Sequence, residues 1–357
     1  MRLIDLDKLE PGMILGRNIY GPGGNVLLRK GLTLREAVIA SLKKQNYPGV
    51  YIDDAFSEEV DVNDVISEEL RNETTTKLKN LFVTVQDGKP SPNAIAESVS
   101  DLSQMINDIV DQVFSNRQMV YNLVDLKNHD DYTFRHSVNV SALATVLGTA
   151  LYYSRSALIS LARGALFHDI GKMFIDKDIL YKNGPLTPEE FEHVKRHSEL
   201  GFDFAKNKLG FMAQESISIL QHHEKFDGTG YPHGRGGRDI HRNAQIVSVA
   251  DVFDAMTSFR VYHDARLPSE AMEYVMGNVG QHFDGEVVDV FLKKVAAYPT
   301  GIGVKLSNGM SGLVCENYEG MTMRPKVKLL TDNPSEPVYM DLRDPKHSSV
   351  TIVGVLY

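Results

Sequence analysis

Cysteine and tryptophan are scarce in this chain of 357 residues, which contains one cysteine, Cys315, and no tryptophan. A single cysteine excludes an intramolecular disulfide, fits a reducing cytoplasm and cannot supply the thiolates of a structural zinc site. Long apolar runs are scarce too, since the longest, roughly residues 138–151, is too short to cross a membrane. No secretory signal segment opens the chain. We therefore expect a cytoplasmic protein that does not enter a membrane.

An excess of positive charge is also lacking, because the formal net charge is −9. Binding to nucleic-acid polymers generally needs a basic face that displaces counterions, so no such polymer is expected as a partner. A small anionic ligand is still compatible with this charge if metals and local cations hold it. The apolar content of 42% is ordinary for a globular protein, and the length allows two or three domains.

The hydrophobic pattern and the turn residues divide the chain into four segments. Residues 1–54 predict a small α+β module with a sensor or scaffold role. Residues 55–119 begin with many acidic side chains and predict a solvated helical linker. Residues 120–298 are rich in helix-like segments, whereas residues 299–357 contain short β-rich runs around an Asn308-Gly309 turn. The predicted fold is mostly α, a helical bundle between the α+β module and a small β-rich domain.

A long amphipathic helix is predicted over residues 93–128. Its apolar positions recur at spacings of three and four, which describes one buried stripe on a helix. The stripe consists of Ile95, Val99, Leu102, Ile106, Ile109 and Val113. Such a stripe packs either within the chain or between two chains, so a homodimer through this helix is a candidate assembly.

Seven histidine and aspartate residues stand where no hydrophobic core would require them. They are His136, His168, Asp169, His197, His222, His223 and Asp251. Most follow or end an apolar helical segment, as expected for ligands that converge inside a helical bundle. Imidazole and carboxylate together suit Fe, Mn, Zn or Ni, and this set is large enough for two divalent metals that share an aspartate. The pattern indicates metal-assisted hydrolysis.

Four sequence blocks carry six of these residues, all except His136, in a fixed order. They read H-D-I-G-K (168–172), H-S-E-L-G (197–201), H-H-E-K-F-D-G-T-G-Y-P (222–232) and V-A-D-V-F-D-A (249–255). Over residues 136–297 the chain resembles the HD-GYP phosphodiesterases, a subset of the HD metal-dependent phosphohydrolases. The resemblance implies hydrolysis of the bacterial second messenger cyclic di-GMP to pGpG, with GMP as a further product left open. It also implies a hydroxide that bridges two metals, with Fe or Mn as the expected ions.

The resemblance assigns the metal ligands residue by residue. One metal is expected on His136, His168, Asp169 and Asp251, and the second on His197, His222 and His223 with Asp169 as the bridge. Some members carry a glutamate four residues before the first histidine, which holds a third metal. Because Tyr132 stands at that position, two metals are expected. Glu224 is either a partner for an imidazole N–H or a surface carboxylate.

The resemblance also suggests substrate contacts. Lys172 is expected to join Asp169 in catalysis, by binding the phosphodiester or assisting the leaving 3′-oxygen. Arg260 resembles the arginine that contacts a substrate phosphate, and His263 stands where the family usually has a second cation. Gly230 and Tyr231 belong to the loop that shapes the wall of the site, where Tyr231 is not expected to be catalytic.

Two alternatives to an active cyclic di-GMP phosphodiesterase remain open from the sequence. One is a catalytically weak receptor that binds cyclic di-GMP and signals through its flanking domains. The other is a phosphodiesterase for a different substrate, such as another cyclic dinucleotide or a nucleotide monophosphate. The complete ligand set favours catalysis, whereas pocket contacts that decide the base are not visible in the sequence.

Overall fold

The computed structural model describes residues 1–21, 24–45, 47, 49–86, 91–122, 132–182, 184–258, 267–331, 333 and 336–356. Within these residues, a large helical centre is preceded by a small sheet module and followed by a five-stranded sheet. The predicted fold class, mostly α with small flanking α+β and β-rich parts, is therefore confirmed.

The N-terminal module contains a sheet, a short hairpin and one helix. Its elements are β1 (Arg2–Ile4), β2 (Ile14–Leu15), β3 (Ile19–Tyr20), β4 (Val26–Leu28), α1 (Glu36–Lys44) and β5 (Val50–Asp53). The three-stranded antiparallel sheet has the order β1-β5-β2, and β3 pairs with β4. Ile39 and Leu42, three residues apart on α1, are buried in one cluster with Leu15 and Ile52 of this sheet.

The helical centre runs from residue 68 to residue 294. Its helices are α2 (Glu68–Gln86), α3 (Pro92–Ser115), α4 (Tyr132–Ala150), α5 (Arg155–Leu166), α6 (Lys177–Leu180), α7 (Pro188–Lys195), α8 (His197–Lys208), α9 (Ala213–Gln221), α10 (Arg242–Thr257), α11 (Pro268–Gly277) and α12 (Gly285–Lys294). Several begin with a side-chain cap. Ser154 accepts from the backbone N–H of Ala157 at the start of α5, and Thr187 and Glu190 form a capping box on α7.

Helix α4 lies in the middle of the core. Val138, Val140, Leu143 and Leu147 are fully buried in a cluster that also includes side chains of α5 and α10. Helix α4 contains most of the longest apolar run of the sequence, and its polar residues Arg135, His136 and Asn139 are buried as well, so α4 is a core helix. Across the described ranges, no helix has both the length and the apolarity that a membrane crossing needs.

Helices α2 and α3 contribute to the same core, although the sequence predicts a linker here. Most of the α3 stripe, from Leu102 to Val113, is buried against side chains of the helical centre, so it packs within this chain. The helix predicted over 93–128 ends earlier, at Ser115. It ends because the chain turns at Asn116 and Tyr121 pairs with Val295 in a β-bridge. Residues 123–128 lie outside the described residues, and a homodimer through α3 stays a prediction.

Two acidic residues of the predicted linker neutralise buried arginines, so the solvated surface predicted for this run does not hold for them. Arg71 is fully buried, contacts Asp64 and lies 3.5 Å from Glu68. It also donates to Asn139 of α4 at 2.5 Å. Arg135 of α4 donates to the other oxygen of Glu68 at 2.9 Å. A buried guanidinium needs such partners, and these tie α2 to the helix that carries His136.

The C-terminal sheet contains β6 (Gly303–Leu306), β7 (Ser311–Glu316), β8 (Lys326–Leu329), β9 (Tyr339–Asp341) and β10 (Ile352–Leu356). It is antiparallel with the order β10-β6-β7-β8-β9, and the β6–β7 turn contains Asn308-Gly309 as predicted. Its buried face shares a hydrophobic cluster with Leu3, Tyr51 and Val62. The two ends of the chain therefore pack together beside the helical centre.

Candidate metal centre

The seven predicted metal ligands come from five helices and meet in two groups. His136 lies on α4, His168-Asp169 follows α5, His197 begins α8, His222-His223 follows α9, and Asp251 lies on α10. The Asp169 group contains Asp169, His197, His222 and His223, and the Asp251 group contains His136, His168 and Asp251. Within each group the ligand atoms lie within 4.8 Å of one another.

Three of the histidines are oriented by the backbone in the same way. In His168, His197 and His222, Nδ1 lies 2.8, 2.7 and 2.8 Å from the carbonyl oxygen of the third residue before it. A carbonyl oxygen only accepts hydrogen bonds, so Nδ1 carries the proton in each ring and Nε2 keeps its lone pair. The Nε2 atoms of His197 and His222 lie 3.4 Å apart. The turns at the helix ends therefore present Nε2 lone pairs to one small volume.

Asp169 lies between the two groups and is almost completely buried. Its Oδ1 is 3.6 Å from Nε2 of His197 and 3.9 Å from Nε2 of His222, whereas its Oδ2 is 3.4 Å from Nε2 of His168. Burial raises the pKa of Asp169, but the charge of Lys172 and the contact with His168 outweigh burial and hold the pKa well below its usual range. An ionised carboxylate thus faces both groups, one oxygen toward each.

One buried atom tests whether these residues fit metal ions. Nε2 of His168 has no hydrogen-bond partner within the described residues, and 3.7 Å away lies Oδ1 of Asp251. A buried lone pair that faces carboxylate oxygens is costly unless a cation lies among them. The donor set, with imidazole and carboxylate and no thiolate, is one that divalent Fe, Mn or Zn accepts. The residues present therefore fit divalent cations.

The imidazoles of the Asp169 group are neutral near pH 7. Burial is the main cause of a lowered pKa in all three rings. It lowers the pKa of His197 to about 4 and that of His223 to about 3, and it holds the pKa of His222 well below its usual value. Neutral imidazole is the form that binds a metal, so this group needs no deprotonation at physiological pH.

His136 is oriented differently, by two carboxylates of α10. Its Nε2 lies 3.0 Å from Asp251 Oδ1 and its Nδ1 lies 2.7 Å from Asp254 Oδ2. Burial lowers the pKa of His136, but the hydrogen bonds with Asp251 and Asp254 outweigh it and raise the pKa to about 9. Sequence reasoning did not assign a role to Asp254. Its spacing of three from Asp251 on a helix is the signal that was available, because both then share one face.

Close backbone contact fixes the distance between the turn that carries Asp169 and the start of α8, which carries His197. A Cβ built on Gly171 would overlap the carbonyl oxygen of His197, and Gly201 lies against the backbone of Gly171. The glycines of H-D-I-G-K and H-S-E-L-G are therefore the points where the turn after Asp169 touches α8. This contact places His197 beside Asp169.

The loop after His223 closes one side of the site. Gly230 lies against the backbone of His223 and Lys225, where a Cβ would overlap. The Tyr231 ring is 4.7 Å from the His223 ring. Glu224 is buried, and its two oxygens accept from the backbone N–H groups of His233 and Arg235 at 2.9 and 3.0 Å. Both sequence alternatives for Glu224 are wrong, because its carboxylate holds this loop instead.

Of the remaining residues that the sequence singled out, the structure describes the side chain of Lys172 but not those of Arg260, His263 and Tyr132. Lys172 Nζ lies 2.5 Å from Asp169 Oδ2, so the lysine adjoins the ligand groups as expected. Arg260 and His263 lie outside the described residues. Tyr132 is the first residue of α4, but its side chain also lies outside the description.

Comparison with known proteins agrees with this geometry. A family model described as "HD domain" matches residues 102–287. Among curated proteins, the chain is 36% identical over 227 residues to "Cyclic di-GMP phosphodiesterase PA4108" of Pseudomonas aeruginosa, a match that covers 64% of this chain and 55% of that protein. It is 39% identical over 165 residues to a "Cyclic di-GMP phosphodiesterase" of Thermotoga maritima, covering 46% of this chain and 45% of that one.

A further relative has a different named substrate. The "3'3'-cGAMP-specific phosphodiesterase 2" of Vibrio cholerae is 31% identical over 192 residues, covering 53% of this chain and 36% of that protein. The chain thus spans about half the length or less of these curated relatives. Among solved structures, Bd1817, an HDG"Y"P protein from Bdellovibrio bacteriovorus, aligns with a TM-score of 0.52 at 21% identity. That alignment covers 81% of this chain and 97% of the other, and it supports the fold.

Proposed function

This chain belongs to the HD domain family, and we propose that it is a metal-dependent phosphodiesterase that hydrolyses cyclic di-GMP. The observation that carries the proposal is the position of Asp169, with one oxygen toward the Asp169 group and the other toward His168 of the Asp251 group. A carboxylate between two clusters of imidazole and carboxylate ligands is what a two-metal phosphodiester hydrolase needs.

The two groups would hold one divalent ion each, with Asp169 as the shared ligand. When bound, such ions activate water and neutralise charge on the phosphoryl oxygens. The chain itself keeps the ligands ready. Carbonyl oxygens hold the protons of His168, His197 and His222 at Nδ1, and Asp254 does the same for His136. Ligands that are already in the correct tautomer and orientation need little rearrangement when a cation binds.

Lys172 is the proposed cationic contact to the reacting phosphodiester. Its ammonium lies 2.5 Å from Asp169 Oδ2 and its side chain is 29% exposed, so it joins the carboxylate to the solvent side of the site. From there Lys172 can donate to a phosphate oxygen or to the leaving 3′-oxygen. Tyr231, which packs on His223, is proposed to form part of the wall of the site.

The proposed substrate is cyclic di-GMP because the two most identical of the relatives named above carry it in their names. The proposed products are pGpG and, by a second cleavage, GMP. The relatives named for 3′3′-cGAMP give a second candidate substrate of the same chemical class. Arg260 and His263 are proposed to bind the substrate phosphates.

The decisive experiment combines metal analysis with product analysis. The protein would be purified without oxygen, its Fe, Mn and Zn would be quantified, and it would be incubated with cyclic di-GMP and 3′3′-cGAMP separately. We expect close to two ions per chain and faster conversion of cyclic di-GMP to pGpG. Asp169→Asn, which keeps the size of the side chain, is the matched control and should lose both metal and product.

Two outcomes would contradict the proposal. A protein loaded with two ions that binds cyclic di-GMP but releases no product would act as a receptor. Preferential cleavage of 3′3′-cGAMP would support the proposed phosphodiester hydrolysis but contradict cyclic di-GMP as the substrate.

A further inference from the structure

Two aromatic rings, Phe191 and Tyr231, and Lys195 form a surface beside the metal centre, and Phe191 and Lys195 have no role in the proposed hydrolysis. Phe191 of α7 is 45% exposed, and its ring is 6.3 Å from the Tyr231 ring in an edge-to-face arrangement. Tyr231 in turn lies 4.7 Å from the ring of His223, a member of the Asp169 group. Tyr231 therefore lies between the proposed metal ligand His223 and the exposed ring of Phe191.

Lys195 lies over both rings. Its Nζ is 4.9 Å from the centroid of Phe191 and 5.6 Å from that of Tyr231. The ammonium also pairs with Glu192 at 2.5 Å, but the Glu192 side chain is 68% exposed. Exposed ion pairs contribute little free energy, so a ligand can take the place of Glu192 at low cost. Lys195 is therefore a donor held over an aromatic face and open to exchange.

Helix α7 holds this surface in a fixed position relative to the metal ligands. Its N-terminus carries the Thr187–Glu190 capping box, and one residue separates its C-terminus from His197. Nδ1 of His197 donates to the carbonyl of Val194, which belongs to α7. The helix that presents Phe191 thus also orients a proposed ligand, so the distance between the aromatic face and the metal centre is set by one rigid element.

We propose that Phe191, Lys195 and Tyr231 form a guanine subsite, in which a base of the substrate stacks on Phe191 and the Lys195 ammonium moves from the ring face to donate to the base edge. This inference rests on the proposed function. In a cyclic dinucleotide every base is one ribose away from a phosphate, so a base subsite must adjoin the phosphate site. Single bases are commonly recognised by stacking on exposed aromatic rings.

The lysine gives this subsite a preference among bases. Guanine presents two acceptors, O6 and N7, on one edge, and lysine donates well to that pair. Adenine presents an N6 amino donor in place of O6, which opposes an ammonium. The subsite should therefore favour cyclic di-GMP over cyclic di-AMP, with 3′3′-cGAMP between them.

Steady-state kinetics with Phe191→Ala and Lys195→Gln tests the proposal on the full, metal-loaded protein. Stacking on an aromatic ring strengthens the binding of a base, so Phe191→Ala should raise the KM for cyclic di-GMP by about tenfold. Lys195→Gln should reduce the ratio of kcat/KM for cyclic di-GMP over cyclic di-AMP. Phe202→Ala is the matched control, because Phe202 has the same contact with a lysine four residues later, Lys206, at 5.7 Å.

The outcomes separate this subsite from the proposed function. A wild-type protein that cleaves no cyclic dinucleotide overturns the proposed function, and the guanine subsite with it, before any variant is examined. An active wild type whose KM changes no more with Phe191→Ala than with Phe202→Ala overturns the subsite alone. Loss of bound metal in Phe191→Ala would also overturn it, since Phe191 would then support the ligands. An equal effect of Lys195→Gln on both substrates would overturn the guanine preference.

Discussion

The two ligand groups differ in the hydrogen bonds that orient their histidine rings. In the Asp169 group, His197 and His222 donate Nδ1–H to the main-chain carbonyl of the third residue before each of them. In the Asp251 group, His136 donates Nδ1–H to the side chain of Asp254, which is 118 positions away along the chain. Backbone carbonyls thus orient His197 and His222, and His168 of the Asp251 group as well, whereas the packing of α4 against α10 orients His136. The backbone-held rings should tolerate side-chain substitutions around them, and His136 should not.

The largest expected effect is loss of the residue that the two groups share. Asp169→Ala removes a carboxylate that faces both groups, so both ions should be lost and hydrolysis should fall to the level of the metal-free protein. Metal content per chain and the rate of pGpG release would be measured together. Near wild-type turnover in the purified variant would rule out a shared aspartate.

Gly171→Ala should damage the Asp169 group selectively. The added Cβ would overlap the carbonyl of His197, so α8 must move away from the turn that carries Asp169. We expect loss of at least one ion per chain, measured by metal analysis of protein that remains folded by circular dichroism. Gly277→Ala is the matched control, because a Cβ at Gly277 meets nothing within 4 Å. Full metal occupancy in Gly171→Ala would show that the two turns are not in contact.

Asp254→Ala should damage the Asp251 group selectively. Removing the partner of a metal-binding histidine commonly lowers metal affinity by about 10–100-fold, because the ring loses its tautomer and orientation. Titration with a metal chelator would reveal one weakened ion beside one that is unchanged. Asp203→Ala, on the exposed face of α8, provides the control. Equal weakening of both ions would mean that the groups are not independently supported.

Substitutions at the proposed phosphate contacts should leave both groups intact. A charge-assisted hydrogen bond contributes roughly 1.5–3 kcal/mol, so Arg260→Ala should raise the KM for cyclic di-GMP by about tenfold or more. His263→Lys should lower the KM, because lysine is charged at pH 7 whereas an unperturbed histidine is mostly neutral. Loss of metal in His263→Lys would identify His263 as a ligand and require a new assignment.

The smallest expected effect is an opposite pH dependence of the two groups in the metal-free protein. An unfolded histidine has a pKa of about 6.5. His197 and His223, with pKa values of about 4 and about 3, bind fewer protons in the folded state, so stability falls as the pH drops below 6.5. His136, with a pKa of about 9, binds more protons when folded, so its contribution is lost as the pH rises from 6.5 through 9.

Melting temperatures measured with a chelator present at pH 5, 7 and 9 would test this opposition. We expect the maximum near pH 7, with His136→Ala removing part of the loss at pH 9. A stability that rises steadily up to pH 9 would contradict the assignment for His136.

The sequence predicted the proposed metal ligands better than it predicted the residues that hold those ligands and the neighbouring loop in place. All seven proposed ligands stand at the ends or on the faces of apolar helical segments, and the structure brings them together. The role of Asp254 was missed, and Glu224 was assigned to an imidazole or to the surface, although it holds the loop before Arg235. The residue types that bind metals can be recognised in the sequence. The residue that hydrogen-bonds to a ligand, such as Asp254 to His136, depends on which helices pack together.

The same limit applies to the segment before the ligands. Acidic residues at 64 and 68 look like a solvated surface in the sequence, yet they neutralise Arg71 and Arg135 inside the protein. A charge pattern alone cannot distinguish a solvated carboxylate from one that compensates a buried guanidinium, because the difference lies in the residues that cover the pair.

By itself, the sequence determined the helix-rich class, the β-rich C-terminal end, the residue types of the proposed ligands and the turns at which they sit, since these depend on local spacing and residue chemistry. The tertiary structure alone decided the pairing of His136 with Asp254, the contact of Gly171 with His197, and the common core of the two chain ends. These features join residues far apart in the chain, and only the packing of whole helices and sheets against one another brings such residues within contact distance.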